Sequence, residues 1–208
     1  MKAVTVPARE GYGEYEEKHS RFLGYCYAVS SESEVSTHLA ALRKEHFEAR
    51  HVVSAFILAD GTARFSDDGE PHGTAGKPLM SVLEGSGLSD CLVAVVRYFG
   101  GTLLGTGGLV RAYTAAASQA VEAAGSVRMV PLVRARLTCR YDQFDTLSRL
   151  LETQGAFSVE AAYTDTVSVT YSVSQEKAQK LSDALTERFA GTLVPEIVEK
   201  MLGKDENP

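Results

Sequence analysis

Apolar and polar positions along the chain alternate between strand-like and helix-like spacing, which predicts an α+β fold. Leu92–Val96 is apolar at every position, as expected for a strand buried on both faces. Apolar residues between Leu109 and Ala124 recur at helical spacing, and Gly125 is expected to end that helix. Asp60–Gly61 predicts a type I′ hairpin turn. Further strands are predicted at 3–6, 22–29, 52–58 and 62–65, and a helix at 31–49.

The pattern changes near residue 130, where we place a domain boundary. Val133–Cys139 alternates apolar and polar residues, as a half-exposed strand does. Asp142 and Ser174 are each placed to cap a helix, and a hairpin is predicted between those helices. With a last strand at 192–202 the order is β-α-β-β-α-β, a ferredoxin-like arrangement. The predicted domains are therefore 1–130 and 131–208.

Composition limits the functional classes. The 208 residues are 44% hydrophobic, carry a net charge of −6 and include three widely spaced cysteines. This indicates reduced thiols in a cytoplasmic protein, with neither a disulfide framework nor a zinc site. No apolar run reaches the roughly 20 residues of a membrane span, and Met1–Glu10 lacks the apolar core of a signal peptide. The negative charge argues against broad nucleic-acid affinity, so any such binding needs a local basic patch.

The most unusual stretch is RYFGGTLLGTGGLVRAY, Arg97–Tyr113, which joins the buried strand to the helix. So many glycines at one corner indicate positive φ or close backbone approach. Free N–H groups at the start of the helix, between Arg97 and Arg111, predict an anion site. A dinucleotide fingerprint needs glycine where Val110 stands, and a P-loop needs Gly-Lys-Ser/Thr, so no dinucleotide and no cofactor is predicted. The glycines are Gly100, Gly101, Gly105, Gly107 and Gly108.

Basic and aromatic side chains are candidates for a nucleic-acid site around this glycine loop. If the cations converge, they form one patch on which tyrosine rings offer stacking faces. The alternative is scattered surface charge around a tight turn that binds nothing. The predicted set is Lys18, Arg21, Lys77, Arg97 and Arg111, with Tyr25, Tyr98 and Tyr113 as the stacking residues.

A second unusual stretch is SDDGEPHGTAGKP, Ser66–Pro78, whose carboxylates allow two interpretations. They could hold a hard cation or position a water. Alternatively they cap the following helix and pair with Lys77, Arg97 or Arg111, which we favour because charges in turns are most often solvated or paired. No metal site is predicted. The acidic turn comprises Asp67, Asp68, Gly69, Glu70, Pro71, His72, Gly73 and Thr74, with Thr74 as the expected N-cap and His72 as an acid–base candidate or a plain surface histidine.

Together, DDGEPHGTAGKP and VVRYFGGTLLGTGGLVRAY resemble the signature of the IMPACT/YigZ family at nearly every characteristic position. The resemblance continues through the β-α-β-β-α-β half and so covers almost the whole chain. It implies an N-terminal domain like the second domain of a small-subunit ribosomal protein and domain IV of elongation factor G. It implies a C-terminal domain like domain V of elongation factor G. It brings no catalytic residues with it.

The leading expectation is a noncatalytic protein linked to translation or its regulation, which binds RNA or a ribosome-associated protein through the glycine-loop face. The alternative is a metal-assisted hydrolase or phosphoryl-transfer enzyme, in which the Asp67–Glu70 turn holds a metal or water and Arg97 and Arg111 clamp a phosphate. A third hypothesis is an adaptor that binds proteins through the exposed face of the C-terminal sheet. An open cleft between the acidic turn and the glycine loop would favour the enzyme hypothesis. A buried ion pair would favour a purely structural role for the acidic turn.

Overall fold

The structure is a computed structural model that describes residues 2–204. It divides into two compact units, one formed by Val4–Val127 and the other by residues 2–3 and 128–204. The strands form two sheets against which the helices pack, which confirms the predicted α+β class. Within the described residues, no helix combines the length and apolarity that crossing a membrane requires.

The N-terminal unit is built on an antiparallel sheet with the strand order β2-β3-β6-β4-β5. Val93 and Val95 of β6 face helices α2 and α3, while Ala94 and Val96 face α1. The uninterrupted apolar run therefore forms a central strand buried on both faces, as predicted. The elements are β1 (Val4–Pro7), β2 (Gly11–Glu17), β3 (Ser20–Ala28), α1 (Glu32–Glu45), β4 (His51–Ile57), β5 (Ala63–Ser66), α2 (Gly76–Ser86), β6 (Cys91–Tyr98) and α3 (Gly105–Ala124).

Strand β2 is an element that the sequence pattern did not predict. Its glycines are unfavourable in a strand, but α3 lies so close above the sheet that a side chain would not fit. A Cβ at Gly11 would lie 2.0 Å from the Ala120 carbonyl oxygen, and one at Gly24 of β3 would lie 2.3 Å from that of Ala116. The small residues on both sides of this contact let the helix backbone rest on the strands.

Hairpin turns are the second difference from the prediction. The type I′ prediction for Asp60–Gly61 is wrong, because only Gly61 has a positive φ and the Leu58 N–H donates to Thr62 O across a three-residue loop. The two-residue turn lies instead between β2 and β3. There Lys18 and His19 have φ values of 49° and 61°, the left-handed conformation that such a turn requires.

The C-terminal unit has the predicted β-α-β-β-α-β order. Its strands pair antiparallel in the order β10-β7-β9-β8, with a register shift in β10 between Ile197 and Glu199. Strand β7 begins seven residues before the predicted Val133, and β10 begins after Pro195 instead of at residue 192. The elements are β7 (Ser126–Cys139), α4 (Tyr141–Thr153), β8 (Phe157–Tyr163), β9 (Val167–Ser174), α5 (Gln175–Phe189) and β10 (Glu196–Lys204).

The close contact of α3 with the sheet predicts that Gly24→Ala destabilises the protein. The new Cβ would collide with backbone that cannot rotate away, so we expect a loss of about 1–3 kcal/mol in the free energy of unfolding. Gly85→Ala is the control, because its Cβ would meet open space within α2 and should stabilise by about 0.5–1 kcal/mol. Urea denaturation followed by circular dichroism measures both. Wild-type stability in Gly24→Ala would contradict this packing.

Candidate functional site

The glycine loop, residues 99–104, connects β6 to α3 and lies against the β2–β3 turn. A Cβ at Gly100 would lie 2.1 Å from the carbonyl carbon of His19, and the Gly100 N–H donates to Ser20 Oγ at 3.1 Å. Gly101 has a φ of 85°, which an L side chain rarely adopts. The predicted close approach and positive φ are both present, and they bring Lys18 and His19 beside the loop.

The first turn of α3 is open to solvent. Leu104 occupies its N-cap position, and its apolar side chain cannot accept a hydrogen bond from the helix. No side chain of the described residues caps the helix, and its first turn contains no acidic residue. Gly105, Thr106 and Gly107 are exposed. The N–H groups and the positive end of the helix dipole are therefore available to an anion at this corner.

Four of the five predicted cations have exposed side chains, and two of these four are paired with nearby carboxylates. Arg111 is 70% exposed, with Nη2 at 3.4 Å from Glu17 Oε1, and Arg21 Nη2 lies 2.8 Å from Glu14 Oε1. Lys77 is exposed in the first turn of α2, and no hydrogen bond or ion pair of the described chain joins it to the glycine loop. Lys18, Arg21 and Arg111 thus lie on elements that meet at the loop, whereas Lys77 belongs to another helix.

Arg97 has a different environment from Arg111. Its side chain is only 7% exposed, and Nη1 donates to Glu70 Oε1 at 2.5 Å, while the guanidinium lies over the Phe22 ring. The buried Tyr113 hydroxyl donates to the same oxygen at 2.8 Å. Burial, followed by the nearby Glu70 charge, raises the pKa of Tyr113 well above its usual value. Arg97 and Tyr113 therefore bind Glu70 inside the N-terminal unit.

The other two tyrosines of the predicted set lie on the α1 side of the sheet. Tyr25 and Tyr98 pack there as partly buried rings, and their hydroxyls contact Nε2 and Nδ1 of His46 at 2.8 and 2.9 Å. His46 ends α1 and was not predicted to interact with them. The structure thus joins these rings to one another and not to the glycine loop.

Within the acidic turn, Asp67 caps helix α2. Its carboxylate accepts the N–H groups of Gly73, Ala75 and Gly76 at 2.9, 3.1 and 2.8 Å. Burial by itself raises the pKa of Asp67, but these backbone donors together lower it below the usual range. Thr74 was the expected N-cap, and this was wrong: its hydroxyl donates to Pro71 O at 2.7 Å.

Asp68 joins the acidic turn to α1 and β4. Its carboxylate accepts hydrogen bonds from Arg43 Nη2 and from the Val52 N–H, each at 2.7 Å. Its backbone carbonyl oxygen accepts a hydrogen bond from His51 Nδ1 at 2.7 Å. The other ring nitrogen, His51 Nε2, lies 3.9 Å from Glu70 Oε1. Gly69, between the two carboxylates, has a φ of 84°. The roles of Arg43 and His51 were missed, because no local sequence signal links them to a turn 17 to 25 residues away.

The three carboxylates of the acidic turn are thus engaged by protein donors, as the capping and ion-pair interpretation requires. His72 is 99% exposed, and its Nδ1 lies 3.7 Å from Asp67 Oδ2. Among residues 2–204, no group of three or more histidine, cysteine, aspartate or glutamate side chains is arranged to hold a metal ion.

The capping role of Asp67 predicts a pH-dependent effect of Asp67→Asn. Since the pKa of Asp67 is lowered on folding, its charge stabilises the protein above the unfolded pKa of about 3.9, and this is lost as the pH falls through the folded value. We expect Asp67→Asn to cost about 1–2 kcal/mol at pH 7 and much less near pH 3. Urea titrations at several pH values test this, with the exposed Glu48→Gln as control. A loss that stays constant between pH 3 and pH 7 would contradict the assignment.

Comparison with known proteins places this arrangement in a family. Residues 18–121, which include the acidic turn and the glycine loop, match the Impact N-terminal domain, and residues 137–192 match a domain of unknown function, DUF1949. The chain is similar to a crystal structure of a hypothetical protein, with a TM-score of 0.64 and 33% identity over 96% of this chain and 98% of that one.

Two curated relatives match this chain over nearly the full length of both proteins. An IMPACT family member of Haemophilus influenzae is 36% identical over 96% of this chain and 98% of its own. The IMPACT family member YigZ of Escherichia coli is 34% identical over 93% of this chain and 97% of its own. With both signature stretches in one folded unit and relatives matched from end to end, the chain belongs to the IMPACT family.

Proposed function

We propose that the protein is a noncatalytic, cytoplasmic binding protein linked to translation, which binds RNA through the glycine-loop surface. We define this surface as Lys18, Arg21, residues 99–107 and Arg111. The observation that carries the proposal is the uncapped, exposed first turn of α3 beside these cations. A phosphate can accept hydrogen bonds from the free N–H groups there and neutralise the positive end of the helix dipole.

Local charge makes the phosphate backbone the part of RNA that this surface would contact. The Arg111–Glu17 contact is long, and Arg111 is 70% exposed while Glu17 is 21% exposed, so the contact is worth little and a phosphate can approach Arg111 from solvent. Arg21 is held more firmly by Glu14 and contributes mainly at longer range. With a net charge of −6 on the whole chain, attraction to RNA should be confined to this surface.

The link to translation comes from the resemblance of the sequence to its family. We propose that residues 1–130 form a domain like domain IV of elongation factor G and the second domain of a small-subunit ribosomal protein. We propose that residues 131–208 form a domain like domain V of elongation factor G. A likeness of fold does not by itself assign a ligand, so the ligand is inferred from the chemistry of the glycine-loop surface.

A ribosome-associated protein is the second candidate partner, because the glycine loop also exposes apolar side chains. Leu103 is 83% exposed and Phe99 is 44% exposed. An exposed leucine at a loop tip fits a partner with an apolar pocket better than it fits a phosphate backbone. The RNA hypothesis uses the cations of the surface, and the protein hypothesis uses this loop tip.

The hydrolase or phosphoryl-transfer alternative is less well supported by the same geometry. It requires carboxylates free to hold a metal or water and two arginines free to clamp a phosphate. Asp67, Asp68 and Glu70 are instead occupied by protein donors, and Arg97 neutralises Glu70 below the surface. Arg111 is the member of the arginine pair that a phosphate can reach.

RNA binding is tested by fluorescence anisotropy with a labelled single-stranded RNA at two salt concentrations. We expect Lys18→Ala and Arg111→Ala each to weaken binding several-fold and to reduce the slope of log affinity against log salt by roughly 0.7, since fewer counterions are released. Lys44→Ala is the matched control, because Lys44 is exposed on α1, which packs on the other face of the sheet.

Equal affinity and equal salt dependence in the wild type and both variants would show that the glycine-loop surface is not the RNA-binding site. Co-sedimentation with ribosomes distinguishes the second candidate. If Leu103→Ser abolishes co-sedimentation while Arg111→Ala does not, the partner is a protein that contacts the loop tip.

A further inference from the structure

The C-terminal unit contains a cavity between α5 and its sheet that the proposed function does not use. Its volume is about 330 Å³. It exists because Ala135 and Ala178 are small, whereas further along α5 the space above the sheet is filled by Leu181 and Leu185. Engineered cavities of about 150 Å³ bind benzene, so a cavity about twice that size can hold a ligand of about ten non-hydrogen atoms.

The floor of the cavity is apolar and its rim is polar. Strand register places two rows of residues side by side across β10, β7 and β9: Lys200, Val133 and Val173 in one row, and Ile197, Ala135 and Tyr171 in the next. The register shift between Ile197 and Glu199 puts Lys200 on the same face as Ile197. The residues that complete the lining are Gln175, Ala178, Gln179, Ser182 and Pro195.

The charge of the lining is unbalanced. Lys200 is the one ionic side chain among the lining residues, and none of them is a carboxylate. The nearby Asp183 does not line the cavity, and its carboxylate accepts a hydrogen bond from the Gln179 side-chain amide at 2.9 Å. Gln175 and Ser182 therefore remain as neutral hydrogen-bonding groups at the rim, with one positive charge opposite them.

Tyr171 places a hydroxyl group at the cavity. The residue is 2% exposed and lines the cavity, and no hydrogen bond within residues 2–204 involves its hydroxyl. The hydroxyl is not among the fully enclosed unpaired side-chain atoms of these residues, which are Glu17 Oε2 and Arg97 Nε, so it can be reached from the cavity and can donate to a bound molecule. Burial raises the pKa of Tyr171 to about 12, so at neutral pH the hydroxyl is a proton donor.

We propose that this cavity binds a small amphipathic carboxylate, whose alkyl chain lies on the floor formed by Val133, Ala135 and Val173 and whose carboxylate pairs with Lys200. The Tyr171 hydroxyl donates a hydrogen bond to the bound molecule. The lack of a carboxylate in the lining favours an anion over a cation, and the apolar floor favours an alkyl body over a sugar or a free phosphate. This site is separate from the glycine-loop surface, so either proposal can fail without the other.

The test is isothermal titration calorimetry of the full chain with octanoate, a carboxylate of about ten non-hydrogen atoms, and with its neutral analogue 1-octanol. We expect octanoate to bind at one site and octanol to bind at least several-fold more weakly. Lys200→Met should weaken octanoate binding by about tenfold or more, because a charge-assisted hydrogen bond is lost. Tyr171→Phe should weaken it several-fold. Lys180→Met, at an exposed position of α5 outside the lining, should leave it unchanged.

Ala178→Leu is a second kind of variant that fills the cavity without removing a polar group. It should abolish octanoate binding while the melting temperature stays the same or rises, which separates loss of the site from loss of the fold. The proposal is overturned if the wild type shows no binding at millimolar octanoate. It is equally overturned if octanol binds as tightly as octanoate, or if Lys200→Met and Ala178→Leu bind octanoate like the wild type.

Discussion

The buried ion pair between Glu70 and Arg97 is the interaction on which the rest of the N-terminal unit depends. Charges buried to this degree persist only if each has its partner, because an unpaired buried charge is strongly destabilising. Glu70 accepts from Arg97 of β6 and from Tyr113 of α3, so a single carboxylate connects the acidic turn, the central strand and the longest helix. Glu70 is placed by Asp67 and Asp68, whose hydrogen bonds hold α2, α1 and β4 around the same turn.

The two signature stretches therefore have different physical roles. The acidic turn faces inward, and its three carboxylates hold the fold together. The glycine loop faces outward: its glycines allow the backbone to pass the Lys18–His19 turn and leave the first turn of α3 uncapped. This separation is the reason for assigning binding to the glycine-loop surface and architecture to the acidic turn.

The sequence predicted those elements that local pattern determines. The apolar run of β6, the end of α3 at Gly125 and the β-α-β-β-α-β order of the C-terminal unit were all confirmed. Strand β2 was missed because its glycines look unfavourable until α3 is placed against them. The Asp68 contacts with Arg43 and His51 depend on tertiary structure, and no spacing along the chain encodes them.

The contrast between the two arginines could have been predicted in part. Arg97 follows Val93 and Val95 in the alternation of β6, so its side chain is directed to the face of the sheet that α2 and α3 cover. Arg111 lies off the apolar stripe of α3, and its side chain is 70% exposed. What the sequence could not supply was the partner, because Glu70 reaches Arg97 only after the acidic turn has folded back over the sheet.

A double-mutant cycle on Glu70 and Arg97 tests the central claim most directly. The free energy of unfolding would be measured for the wild type, Glu70→Gln, Arg97→Met and the double variant, with the exposed Glu32–Arg64 pair as reference. We predict that Glu70→Gln costs about 3–5 kcal/mol, and that the double variant loses far less than the sum of the single losses. The reference pair should show coupling of less than about 1 kcal/mol. Additive losses at Glu70 and Arg97, or a coupling no larger than that of the exposed pair, would contradict the account.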